Sequence, residues 1–288
     1  EYDYEMAQCV SPITLKNKAS VPCGRCLFCK QNDANAWSFR LWQESLGCDS
    51  AYFVTMTYDE DHVPWGSYDM TLNKDDIRKF LMRFRKIANT RYKQDLFISR
   101  PFKKFKYFLA GEYGSPRPHY HGIFFNLHKM EMDLLAKTWG KGSVKIGTCT
   151  PASIAYVTKY MLKDVKDYPG VQQPFRSMSK NLGMRYVELN KQMHRRTKSI
   201  LVRNGFGKLQ ILPRVFRDKI FNRLELDLIW KDMEEDLLQI RRDQLAEKKL
   251  LNSVFQQLSE IEAEWMLEQG VRQQYVNLEK SLTKIETL

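Results

Sequence analysis

The chain has 288 residues, of which 43% are hydrophobic, enough for a buried core in one or two domains and too many for a disordered chain. No run of eighteen apolar residues occurs, and Glu1-Tyr2-Asp3-Tyr4 lacks the charged-then-apolar layout of a secretory signal, so the expectation is a cytoplasmic protein with no membrane partner. A formal charge of +12 at pH 7 points instead to a polyanion, because Lys and Arg gain affinity by displacing counterions from phosphates.

The charge is unevenly placed. Residues 176–223 hold 13 Lys and Arg against 2 Asp and Glu, whereas residues 224–288 hold 8 against 14. The basic stretch is the expected nucleic-acid contact, with Arg195, Arg196, Lys198, Arg203 and Arg214 tracking the phosphate backbone. Four of the six cysteines fall between Cys9 and Cys29, which argues against a chain-wide disulfide framework and for local metal binding. Cys23, Cys26 and Cys29 have the close spacing that presents thiolates from one turn, and Cys9 is the expected fourth ligand of a structural Zn²⁺. Free thiols are the alternative.

In chain order, a Cys-bearing turn at 21–26 precedes a helix over about 30–46, where Ala34, Trp37, Leu41 and Leu46 recur at near-helical spacing. Residues 51–58 are β-branched and aromatic and predict a strand. Asn73 is placed to cap a helix carrying Ile77, Phe80, Leu81, Phe84 and Ile87. Two strands, 106–113 and 119–126, flank a Gly/Ser/Pro link and predict a hairpin. A helix over 130–139, a strand over 142–148 and a helix opened by Thr150-Pro151 follow. The order β-α-β-β-α-β-α predicts an α+β fold with a ferredoxin-like split βαβ antiparallel sheet. Beyond it, Val187 and Leu189, then 200–202, are read as further strands, and the chain from Arg217 onward as a helical region that packs on the parent domain or offers a partner surface. The expected organisation is a Cys-rich segment and helix (1–50), a core (51–170), a basic extension (171–216) and a helical region (217–288).

His119 and His121 lie two apart on a predicted strand, so both imidazoles leave the same face. The hairpin brings Glu112 back towards them, and two imidazoles with one carboxylate suit Mg²⁺ or Mn²⁺ when phosphate and water complete the shell. Tyr156 and Tyr160 share one face of the helix that begins near Pro151, with Lys159 beside them. A phenol can attack a phosphodiester and retain the bond energy in a phosphotyrosine, which a later hydroxyl reverses. Lys159 would favour the phenolate or the charged transition state.

Taken together, Pro22-Cys23-Gly24-Arg25-Cys26 through Cys29, the strand 53–58, Gly111-Glu112-Tyr113-Gly114, Arg117-Pro118-His119-Tyr120-His121-Gly122 and Tyr156-Val157-Thr158-Lys159-Tyr160 resemble the HUH endonucleases, and among them the replication initiators of Microviridae of the gokushovirus type. The likeness covers about 21–165. It implies rolling-circle initiation in the cytoplasm of a bacterial host: a nick in single-stranded origin DNA, a 5′-phosphotyrosyl link, and a 3′-hydroxyl that primes a host DNA polymerase, with a host helicase opening the duplex. It also implies that Glu112, His119 and His121 hold the metal, that Tyr156 is the nucleophile and Tyr160 the second tyrosine, and that Arg117 and Lys163 contact DNA. No G-x-x-x-x-G-K-[ST] run occurs, so no fused helicase is expected. The competing expectations are an HUH relaxase or transposase, and a non-catalytic zinc protein that binds single strands.

Overall fold

The computed structural model describes residues 9–16, 20–67, 69–94, 103–113, 117–160 and 170–251, with isolated positions beyond. A short ladder of β1 (Ile13–Thr14) and β2 (Ser20–Val21) leads into α1 (Leu27–Gly47). Then come β3 (Ala51–Tyr58), α2 (Lys74–Gln94), β4 (Lys106–Tyr113), β5 (Pro118–Phe125), α3 (Lys129–Trp139), β6 (Gly142–Thr148) and α4 (Pro151–Lys159). This is the predicted split βαβ order. The capping of α2 is also as expected: Asn73 Oδ1 accepts the backbone N–H groups of Asp75 and Asp76 at 2.9 and 3.2 Å.

With β7 (Arg176–Met178) added at one edge, the sheet runs β6-β3-β5-β4-β7, and every neighbouring pair is antiparallel. Alternate side chains leave opposite faces of each strand, and both faces are apolar. One face places Met56, Tyr58, Tyr120 and Phe124 against Phe80 and Phe84 of α2 and Trp139 of α3. The other places Phe108, Ala110, Ile123 and Phe125 against Leu41 of α1 and Ile154 and Val157 of α4. Phe124 is fully buried, so truncation to Ala costs about 3–5 kcal/mol in lost transfer and cavity energy. Gly142 starts β6 at φ 137°, where a Cβ would stand 2.3 Å from the Thr57 carbonyl oxygen; only glycine brings β6 that close to β3.

The basic segment is folded. After β7 come α5 (Arg185–Thr197), a hairpin of β8 (Leu201–Arg203) and β9 (Leu209–Ile211), α6 (Arg214–Ile220) and α7 (Arg223–Leu251). Val187, Ile200, Val202, Leu212 and Phe216 bury against Phe39 on the side of α1 turned from the sheet. The strand expected at Val187 and Leu189 is instead the first part of α5. Local β-propensity yields there to a helical repeat, in which Val187 and His194, seven apart, are buried and Leu189 is 70% exposed. His194 closes α5 by hydrogen-bonding the Ser199 carbonyl through Nδ1 at 2.7 Å and Tyr186 Oη through Nε2 at 2.8 Å. Strand character at 200–202 and helix from 217 agree with expectation. Most of 252–288, including the apolar repeat there, lies outside the described residues.

Candidate active site

Glu112 lies directly opposite His119 in the β4/β5 ladder, and His121 lies opposite Ala110 on one side and Thr55 on the other. Register and pleat therefore place Glu112, His119 and His121 on the sheet face that α4 covers. Glu112 Oε2 is 3.4 Å from His119 Nε2 and 3.5 Å from His121 Nε2, and one donor atom from each side chain lies within 4.8 Å of the others. Glu112 and His121 are buried.

The second nitrogen of each ring sets its orientation. His119 Nδ1 lies 2.9 Å from the Arg117 carbonyl, which only accepts, so this nitrogen carries the proton in a neutral ring and Nε2 keeps its lone pair. His121 Nδ1 lies 2.9 Å from Thr55 Oγ1, which can accept in the same way. Fixing Nδ1 as the donor aims both Nε2 lone pairs at one point beside Glu112, the donor chemistry that a divalent ion requires. Between the histidines, Tyr120 points to the other face. Its hydroxyl lies 2.9 Å from Tyr58 Oη and accepts the Asn73 N–H at 2.8 Å, tying the histidine strand to the cap of α2. Burial, the largest cause, pushes the Tyr120 phenol up to about 12.

The start of α4 is locked by a reciprocal cap: Thr150 Oγ1 accepts from the Ser153 N–H at 3.1 Å, and Ser153 Oγ accepts from the Thr150 N–H at 2.7 Å. Ile154 and Val157 then bury into the sheet, which leaves Tyr156 and Tyr160 over the histidines. Tyr156 meets His121 edge-on with centroids 5.1 Å apart, and Tyr160 stacks on His121 at 5.2 Å and 7°. The two phenol rings are 5.0 Å apart. Tyr156 is 46% exposed, whereas burial, then hydrogen bonding to Tyr156 and the Glu112 charge, push the Tyr160 phenol far above its ordinary range. Lys159 is the half-buried last residue of α4.

Sequence reasoning misses two neighbours as site residues. Phe53 stacks on His121 at 5.5 Å and 15°, and Thr55 holds its Nδ1. Both are legible as alternating positions of one strand; their pairing with β5 is not. Phe53, His121, Ala152, Ser153 and Tyr156 line an open cleft of about 410 Å³.

The sulfurs of Cys9, Cys23, Cys26 and Cys29 also converge within 4.8 Å of one another. Cys23 Sγ lies 3.9 Å from Cys29 Sγ, and Cys26 Sγ 4.0 Å from Cys9 Sγ. A tetrahedral zinc with Zn–S of ~2.3 Å has sulfur edges of about 3.8 Å, so the four thiols fit that ion. Backbone N–H groups of Cys26 and Arg25 point at Cys23 Sγ and lower its thiol to about 6, while burial raises that of Cys29 to about 12.

The cationic residues are dispersed. Arg117 donates to Glu60 Oε1 at 2.5 Å and to the Tyr58 carbonyl at 3.3 Å, beside the histidine strand. Arg195 pairs with Glu225 at 3.0 Å and Arg214 with Asp218 at 3.6 Å. Arg196 and Lys198 are exposed at the end of α5, and Arg203 lies on the β8–β9 hairpin. Lys163 is outside the described residues.

A split βαβ sheet carrying this cluster matches a known class: residues 51–165 fit the model of a family described as Replication-associated protein ORF2. The chain is 28% identical over 256 residues to Replication-associated protein ORF2 of Spiroplasma virus 4, covering 80% of this chain and 75% of that one. It is 25% identical over 259 residues to Replication-associated protein VP4 of Bdellovibrio phage phiMH2K, covering 78% and 77%. No solved structure matches. The chain belongs with the replication-associated proteins of Microviridae-type single-stranded DNA phages, in agreement with the resemblance carried by its motifs. No described helix is long and apolar enough to cross a membrane.

Proposed function

We propose that this protein initiates rolling-circle replication by cutting one strand of origin DNA through Tyr156. The observation that carries the proposal is the packing of both phenols, 5.1 and 5.2 Å by ring centroid, against a histidine whose Nε2 converges with His119 and Glu112. Glu112, His119 and His121 would hold Mg²⁺ or Mn²⁺, which supplies charge withdrawal from the scissile phosphate. Tyr156, the more exposed phenol, attacks the phosphorus: its oxygen bonds to phosphorus as its proton leaves, and the phosphorus–O3′ bond breaks, freeing a protonated 3′-hydroxyl. Lys159 stabilises charge on that face of the helix. Tyr160 serves the second transfer, in which newly made origin DNA is cut and the first link is resolved by a 3′-hydroxyl.

In this reading residues 51–170 form the nicking core. Cys9, Cys23, Cys26 and Cys29 hold a structural zinc, and the basic segment, with Arg117 and Lys163, follows the DNA backbone. The free 3′ end passes to a host polymerase, and a host helicase unwinds. A role in binding alone gives no reason for two phenols to enclose a paired histidine site. Incubating the protein with circular single-stranded phage DNA and Mn²⁺ should yield a protein–DNA species stable on a denaturing gel and absent with chelator. Intact DNA under all conditions would remove the proposal.

A further inference from the structure

The turn between β8 and β9 holds a large apolar side chain that packing does not explain. Phe206, at its apex, is 56% exposed. The turn around it is rigid: Asn204 Oδ1 accepts the N–H groups of Phe206 and Lys208 at 2.9 and 3.1 Å, the Asn204 carbonyl accepts from Gly207, and Arg203 donates to the Gly207 carbonyl at 2.8 Å. The hairpin is also fixed against the nicking core. A Cβ on Gly205 would stand 3.2 Å from Pro151 and 3.3 Å from Trp42, so the backbone there lies directly on the first residue of α4. The next residues of α4, Ala152 and Ser153, line the cleft shared with His121 and Tyr156. Arg203 and Lys208 flank the apex, both exposed, and no carboxylate occurs in the sequence between Glu188 and Asp218.

We propose that this apex is a base-stacking subsite for single-stranded DNA entering the cleft, with Phe206 as the platform and Arg203 and Lys208 on the adjoining phosphates. The proposal rests on the reading that the chain acts on single strands. An exposed ring between cations is suited to that ligand, because every base has a π face and each backbone link carries a charge. A rigid turn loses little freedom on binding, and its seat on Pro151 sets the distance from the stacked base to Tyr156.

The test uses the full chain and fluorescein-labelled dT20 without divalent metal, so no cutting enters the measurement. Anisotropy titrations should show F206A binding about fivefold or more weakly, the size of a lost base stack, and F206W within about twofold of the unaltered protein. The slope of log affinity on log salt should stay unchanged in F206A, and should become shallower by about 1.4 when Arg203 and Lys208 are both changed to Gln. Affinity of F206A within twofold of the unaltered protein would overturn the proposal. So would equal losses in F206A and F206W, since a larger ring preserves stacking but not tight packing. Failure of the covalent-adduct assay with these results intact would instead remove the nicking reading and leave the subsite.

Discussion

The ring of Tyr160 lies over that of His121 at 7° and 5.2 Å, so the second phenol is a wall of the candidate metal site as well as a candidate nucleophile. The two roles separate by substitution. Tyr160→Phe keeps the stack and removes the hydroxyl; it should leave the first cut near normal and impair the later transfer, read as accumulated linear product. Tyr160→Ala removes the stack too, and should also weaken Mn²⁺ binding by calorimetry. Equal Mn²⁺ affinity in the two variants would show that the ring does not support the site.

Thr55 is the partner that fixes the His121 tautomer. Thr55→Val keeps the shape and removes the acceptor, so Mn²⁺ affinity should fall roughly 10–100-fold, as for other outer partners of metal histidines. Unchanged affinity in that variant would mean that His121 is oriented by its flanking rings alone.

How much of this is legible in the sequence depends on the range of the contacts. The β-α-β-β-α-β-α order and the Glu112/His119/His121 grouping follow from alternation along strands and from one hairpin, which are short-range features. The placement of Tyr156 and Tyr160 over that grouping comes from the family resemblance, because nothing local tells which sheet face α4 covers. Phe53 and Thr55 stay hidden because Thr55 and His121 are 66 residues apart in the chain and the β3/β5 register is a tertiary fact. Val187 and Leu189 mislead because two apolar residues at spacing two suit a strand, whereas their helix is decided by packing on Phe39.

For the cysteines, elemental analysis of protein purified without chelator should give one zinc per chain. Removing it should lower the thermal midpoint, since a site closed by four thiolates stabilises only the folded state. Cys26→Ser should reproduce the loss, and protein free of zinc with an unchanged midpoint would leave the cysteines as thiols.

Burial raises the Tyr58 phenol beyond its ordinary range and that of Tyr120 to about 12. The sign follows: above an unfolded pKa of about 10 the unfolded chain releases protons that the folded chain retains, so stability falls as pH rises. Urea midpoints should therefore drop between pH 9 and about 12, and less steeply in Tyr58→Phe. A flat profile across that window would contradict the buried hydroxyl network.

The most direct measurement is the identity of the residue that carries DNA. Single-stranded phage DNA is cut with the intact protein and Mn²⁺, the adduct is digested with nuclease and protease, and the peptides are sequenced by mass spectrometry. The account predicts a nucleotide mass on Tyr156 in the first turnover, its absence from Tyr156→Phe, and no adduct in the double Tyr156→Phe, Tyr160→Phe variant. Undiminished cutting by the double variant, or the nucleotide mass on a residue outside α4 and Tyr160, would contradict it.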